Sequence, residues 1–201
     1  MAKWRDLGAF DQRAPVYDEG WRGRLHHEIV QRTAALALSM PSGRGRVLDV
    51  GCGTGYLLRV LARRSPGTSA LVGIDPAPSM VAVAASASDD GRVTFTPGAA
   101  EHLPFADGSF DLVVSTTSFD HWADQEGGLR ECARVLVAGG SLVLVDQFSL
   151  LLSPTLVMGR RGKARTRRRA DRLLSAAGFT SIAWHRVYAV IINAATATTR
   201  T

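Results

Sequence analysis

The side chains best placed to do chemistry gather around one glycine-rich stretch, Val47-Leu48-Asp49-Val50-Gly51-Cys52-Gly53-Thr54-Gly55. A short apolar run leads straight into glycines, and a helical pattern follows. Glycines at such a turn let the backbone fold tightly and let a ligand lie against bare peptide. The spacing is Gly-x-Gly-x-Gly, and Tyr56 stands where a dinucleotide fingerprint would carry its third glycine. No Gly-Lys-Ser/Thr follows, which excludes a Walker-type phosphate loop. Asp49, two residues before the first glycine, suits a ligand with an ammonium group better than one with a pyrophosphate; a capping role is the plainer alternative. Asp75 closes the next apolar run twenty residues past Gly55. A carboxylate there can accept hydrogen bonds from both hydroxyls of a ribose.

A second group follows the fourth apolar run: Ser115-Thr116-Thr117-Ser118-Phe119-Asp120-His121-Trp122. Ligands of an open α/β sheet sit beyond the carboxyl ends of its strands. Ser115, Thr116, Phe119, His121 and Trp122 are therefore expected to border the bound ligands. His121 is a candidate general base, with Asp120 or Asp124 nearby in sequence, and a structural role is its alternative. His26, His27 and His185 read as surface or packing residues. No Cys, His and acid spacing suggests a metal.

These residues need strands and helices to position them. Apolar runs at 46–50, 70–74, 92–96, 110–115 and 141–146 read as strands. The patterns at 56–64, 78–87 and 125–136 read as helices, the last stopped by Gly139-Gly140. This alternation predicts an α/β fold with a mainly parallel sheet. Ahead of it, 20–38 shows an amphipathic pattern through Leu25, Ile29, Arg32 and Leu36. After an irregular link at 148–162 come a helix over 164–177, ended by Gly178, and two strands at 179–187 and 189–197 with no clear turn residue between them. One domain spanning 1–201 is the economical organisation: a helical lid region at 1–40, a binding core at 41–147, and a C-terminal helix and hairpin at 148–201.

In sum these motifs resemble a class I S-adenosylmethionine-dependent methyltransferase, nearest the small-molecule branch that includes ubiquinone and menaquinone biosynthesis methyltransferases. Residues 47–55 resemble the family's first motif. Gly73-Ile74-Asp75-Pro76-Ala77-Pro78-Ser79-Met80 resembles the second, 98–111 the third, and Arg134-Val135-Leu136-Val137-Ala138-Gly139-Gly140 the turn before the fifth strand. The resemblance implies a Rossmann-like three-layer sandwich whose seven-stranded, mostly parallel sheet has an antiparallel last strand. It implies S-adenosylmethionine as cofactor, held by Asp49, Gly51, Cys52, Gly53, Gly55, Asp75, Pro76, Met80, Ala99, Ala100, Glu101 and Ser115. It makes 10–21 a lid whose Tyr17 approaches the cofactor, with packing of the lid as the alternative. Thr116, Phe119, His121 and Trp122 fall on the substrate side. Ala99 replaces the Asp that in many relatives accepts a bond from the adenine amino group, a loss of about 1 kcal/mol. Val137-Ala138 replaces the usual Lys-Pro. The Ser-Thr-Thr-Ser-Phe run lacks the Asn/Asp-Pro-Pro-aromatic motif of enzymes that methylate nucleobase amino groups.

Composition sets the remaining bounds. The 201 residues are 46% hydrophobic and 21% charged, ordinary for a globular protein. No apolar run is long enough for a membrane span, no secretion signal opens the chain, and two cysteines make no disulfide framework, so a cytoplasmic protein is expected. The net charge of +6 is local: eight cations between Arg160 and Arg172 face only Asp171, and the rest of the chain is near neutral. A solvated basic face, an anionic substrate or lipid, and RNA all remain open for that segment. The expected reaction is methyl transfer to an O, N or C atom of a small organic acceptor. An RNA methyltransferase using 160–172 and a non-catalytic cofactor-binding protein are the alternatives. The short link leaves the pocket open or closed by a second subunit, and a homodimer is one expectation.

Overall fold

The computed structural model describes residues 7–43, 45–148 and 166–200. Seven strands form one sheet in the order β3-β2-β1-β4-β5-β7-β6. They are β1 (Arg46–Val50), β2 (Ala70–Asp75), β3 (Val93–Pro97), β4 (Phe110–Thr116), β5 (Leu136–Asp146), β6 (Thr180–Tyr188) and β7 (Ile192–Thr198). The first five are parallel. β7 runs antiparallel between β5 and β6. The helices are α1 (Leu7–Arg13), α2 (Gly20–Ser39), α3 (Tyr56–Arg64), α4 (Pro78–Ser86), α5 (Gln125–Val135) and α6 (Arg167–Ala176). The expected fold class is the one observed.

The period-two alternation of the strands builds the three layers. On one face Leu48, Val50, Val113, Leu142 and Leu144 meet Leu129 and Cys132 of α5 and Ala170 and Leu174 of α6. On the other, Val47, Leu71, Leu112, Val114 and Val143 meet Ile29, Val30 and Ala34 of α2 and Leu57, Leu58 and Leu61 of α3. Each fully buried Leu or Val stabilises the sandwich by about 1.5–3 kcal/mol of transfer free energy.

Several elements depart from the sequence reading. α2 buries Gly23, Ile29, Val30, Thr33, Ala34 and Ala37. The expected stripe through Leu25, Arg32 and Leu36 is therefore offset, and Arg32 instead points outward to Glu28 and to the Val187 carbonyl. Small residues at 33, 34 and 37 carry little hydrophobic weight but let the helix lie close to the sheet. Helix α5 stops at Val135, and Leu136 already pairs with Phe110, so Gly139 and Gly140 belong to β5 rather than to a helix stop. Gly139 has φ +71° and its N–H donates to the Arg200 carbonyl, which ties this irregular strand start to the C-terminal end. The turn between β6 and β7 uses Ala189 at φ +47°, a left-handed conformation that no local residue type announces. The link at 148–162, apart from Phe148, lies outside the described residues, as do Arg160, Arg161, Lys163 and Arg165 of the basic segment.

Candidate functional site

Strands β1, β2, β4 and β5 all end on the same edge of the sheet. Strand order reverses between β1 and β4, and the chain opens a crevice there. The cavity at that point, together with the open solvent at its mouth, spans about 710 Å³. Its lining includes Asp49, Gly51, Cys52, Gly53, Asp75, Pro76 and Met80, with Thr116, Thr117, Ser118 and His121 from beyond β4 and Leu7, Phe10, Tyr17 and His26 from the N-terminal region.

The glycine loop is held by its own backbone. The N–H groups of Gly51 and Cys52 both donate to the Ile74 carbonyl, at 2.8 and 3.0 Å. Gly51, Gly53 and Gly55 all have positive φ, at +76°, +52° and +74°. They serve different ends. A Cβ on Gly51 would collide with Ser118 Oγ, and one on Gly55 with the Phe95 ring, whereas a Cβ on Gly53 would meet no protein atom within 4 Å. Gly51 and Gly55 are thus glycines for packing, and Gly53 presents bare backbone to open space.

Asp75 organises the far side of the loop. Its Oδ2 accepts from the Gly53 N–H and its Oδ1 from the Ala77 N–H, both at 2.9 Å. Each oxygen keeps lone pairs for a ligand. Burial raises the Asp75 pKa, and the two backbone donors oppose that shift. Asp49 is 2% exposed, and its Oδ1 is buried without a hydrogen-bond partner among the described residues. Burial, with Asp75 adding repulsion, pushes its pKa up to about 8. An unpaired carboxyl oxygen at a cavity wall is costly unless a ligand completes it. Thr116 Oγ1 is likewise buried and unpartnered among the described residues. Cys52 is buried, and desolvation holds its thiol neutral.

Beyond β4, Ser118 is the knot that sequence reading missed. Its hydroxyl meets Ser115 Oγ at 2.8 Å, donates to the Val50 carbonyl at 2.9 Å and accepts from Trp122 Nε1 at 3.2 Å. This network seats the loop against Gly51 and sets Thr117, at φ +53°, on the cavity wall. The only hint in the sequence is that a hydroxyl can fill the room a glycine leaves.

The segment 10–21, expected to form a lid, reaches the cavity. Phe10 and Tyr17 line it, and Asp11 Oδ1 accepts from the Ser79 N–H at 3.0 Å. That bond caps α4, whose own N-cap residue Ala77 supplies no side-chain bond. Tyr17 is partly buried, and desolvation raises its pKa, so its hydroxyl stays protonated.

Other sequence-chosen residues take different places. Phe119 and Trp122 are 1% and 5% exposed and pack edge-to-face in the core, Phe119 also beside Phe148, so they do not border the substrate side as expected. The physical reason is the 3-10 turn over Phe119–His121, which rotates both rings inward while His121 faces the cavity. Glu101 is a loop clamp: its Oε1 accepts from the Ala123 and Asp124 N–H groups. Gly55, Ala99, Ala100 and Ser115 also lie outside the cavity lining. His26, read as a surface or packing residue, lines the cavity instead.

The comparisons agree with this geometry. Residues 48–144 match the methyltransferase domain family Methyltransf_11. Over those residues, just under half of the chain, it is similar to that methyltransferase domain. A demethylmenaquinone methyltransferase from Thermus thermophilus is 39% identical over 142 residues, 68% of this chain and 63% of that protein. The ubiquinone/menaquinone biosynthesis C-methyltransferase UbiE from a Geobacter species is 38% identical over 119 residues, 57% of this chain and 49% of that protein. The chain thus spans roughly half to two thirds of these relatives. The [4+2]-cyclase SpnF has the same fold, with a TM-score of 0.79 at 19% identity, covering 98% of this chain and 96% of that one. No helix among the described residues is long and apolar enough to cross a membrane.

Proposed function

We propose that this chain binds S-adenosylmethionine in the crevice and transfers its methyl group to a small organic acceptor. The observation that carries this reading is the buried Asp49 carboxyl, whose Oδ1 has no partner among the described residues, facing the same cavity as the bare Gly53 backbone and the ribose-ready Asp75. An ammonium group complements the first, and a ribose diol the third. The fit supports a cofactor with both groups, and neither a pyrophosphate nor a metal is called for by these donors. Asp49, Gly51, Cys52 and Gly53 would hold its amino-acid end, Asp75 and Pro76 its ribose, and Met80 its adenine.

When bound, that group supplies an electrophilic methyl on a cationic sulfur. The chain supplies the rest. Tyr17 and Phe10 exclude water, and the loop held by Ser118 places Thr116, Thr117 and His121 across from the donor side. Alignment and dryness supply most of the rate of an in-line displacement. His121 is the cavity group nearest to general-base chemistry if the acceptor must lose a proton.

The SpnF likeness is a reminder that fold does not decide reaction. The reading is therefore tested by turnover. The protein, given methyl-labelled S-adenosylmethionine and a panel of small hydroxy, amino and activated-carbon acceptors, should pass label to an organic product, and Asp75→Ala should not. Binding of the cofactor with no label transferred to any acceptor, RNA included, would favour the non-catalytic alternative.

A further inference from the structure

The chain has five histidines, and the structure separates them. His27 stacks on Tyr56 with centroids 3.7 Å apart and lies 3.1 Å from Asp18. His185 Nε2 meets Thr196 Oγ1 at 2.9 Å. His102 is exposed. His26 and His121 line the cavity, from α2 and from the turn after β4. The rings of the lid join them in series: His121 edge-on to Phe10 at 5.0 Å, Phe10 to Tyr17 at 6.4 Å, Tyr17 edge-on to His26 at 5.4 Å. The result is an aromatic wall with an imidazole at each end.

The charges of the cavity narrow what this wall can take. Its lining has no Lys or Arg among the described residues, and its two carboxyl groups, Asp49 and Asp75, stand at the glycine-loop end. Among the described residues, the lining itself offers an anionic acceptor no Lys or Arg counter-charge. His26 is uncharged at neutral pH, because burial pushes its pKa down to about 4 against the opposing pull of Asp18. A neutral imidazole has one ring nitrogen free to accept a hydrogen bond. It also spares a cationic donor the repulsion that an imidazolium would bring.

We infer that His26 binds the methyl acceptor, receiving a hydrogen bond from an uncharged O–H or N–H group, so that the cavity prefers neutral hydroxylated or N–H aromatic compounds to anions. This rests on the methyl-transfer reading of the cavity. The test uses three probes of one shape, 2-naphthol, naphthalene and 2-naphthoate. Each is titrated by fluorescence into the free protein and into protein saturated with S-adenosylhomocysteine. Wild type should bind 2-naphthol about fivefold more tightly than naphthalene, the size of one net hydrogen bond, and 2-naphthoate most weakly. His26→Phe should erase the preference for 2-naphthol over naphthalene while leaving S-adenosylhomocysteine affinity intact, and His26→Gln should keep it. A preference that survives in His26→Phe, tightest binding of 2-naphthoate, or loss of all three probes in both variants would overturn the assignment. Failure of S-adenosylhomocysteine to bind wild type would count against the methyl-transfer reading instead, and the ranking in the free protein would still decide the role of His26.

Discussion

At the scale of single residues, Asp49 has the sharpest consequence. Its folded-state pKa, about 8, lies above the ordinary 3.8. The folded protein therefore keeps a proton that the unfolded chain gives up. Its contribution to stability is full below about pH 4, falls as pH rises, and is lost by about pH 8. Asp146, pushed up to about 6 by burial, acts in the same direction over a narrower window. Thermal unfolding of the ligand-free protein should thus drop from pH 5 to pH 8, and Asp49→Asn should flatten that slope without removing it. An unchanged slope would mean that Asp49 is already ionised and compensated. The glycines make a second contrast. Gly51→Ala meets Ser118 and adds left-handed strain of about 1–3 kcal/mol, so its melting temperature should fall markedly. Gly53→Ala carries similar backbone strain but meets no protein atom, so it should stay the more stable of the two and lose ligand binding instead. Calorimetry and unfolding measured on both variants separate these outcomes.

At the scale of elements, the lid and α4 are coupled through one hydrogen bond. Asp11 supplies the cap that α4 lacks. Asp11→Ala should cost about 1 kcal/mol, and hydrogen exchange should quicken both in α1 and in the first turn of α4. Exchange confined to α1 would show that the cap is idle. This coupling also marks where the sequence stopped being legible. The β1–glycine loop–α3 unit could be read because apolar runs and glycines there are strictly local signals. Of α1 only a helical lid region at 1–40 could be read, not its bounds: it has seven residues, buries none of them fully, and is tied to α4 through Asp11. His26 was hidden for a related reason. It lies one helical turn from Gly23 and Val30 on the buried side of α2, a stripe whose small residues at 33, 34 and 37 are too weakly apolar to outvote Leu25 and Leu36. Phe119 and Trp122 follow the carboxyl end of β4, where an open sheet borders its ligands, but a single 3-10 turn sends them to the core. Ser118 acts through contacts with residues 68 positions away at Val50 and just 3 away at Ser115, and only the long one reveals its role.

At the scale of the whole molecule, the account joins a doubly wound sheet to one crevice at its switch point. A ligand that binds only the folded chain stabilises it by mass action, about 2.7 kcal/mol at a hundredfold excess over Kd. For a domain of this size that is a rise of several degrees in melting temperature. The central claim, that the crevice is an S-adenosylmethionine site, is tested most directly by calorimetric titration of S-adenosylhomocysteine into the wild-type protein and into Asp75→Ala. The account predicts saturable one-to-one binding in the micromolar range for the wild type, weakened at least about tenfold in the variant, as expected when charge-assisted bonds to two hydroxyls are removed. Absence of binding to the folded wild type, or equal affinity in Asp75→Ala, would contradict it.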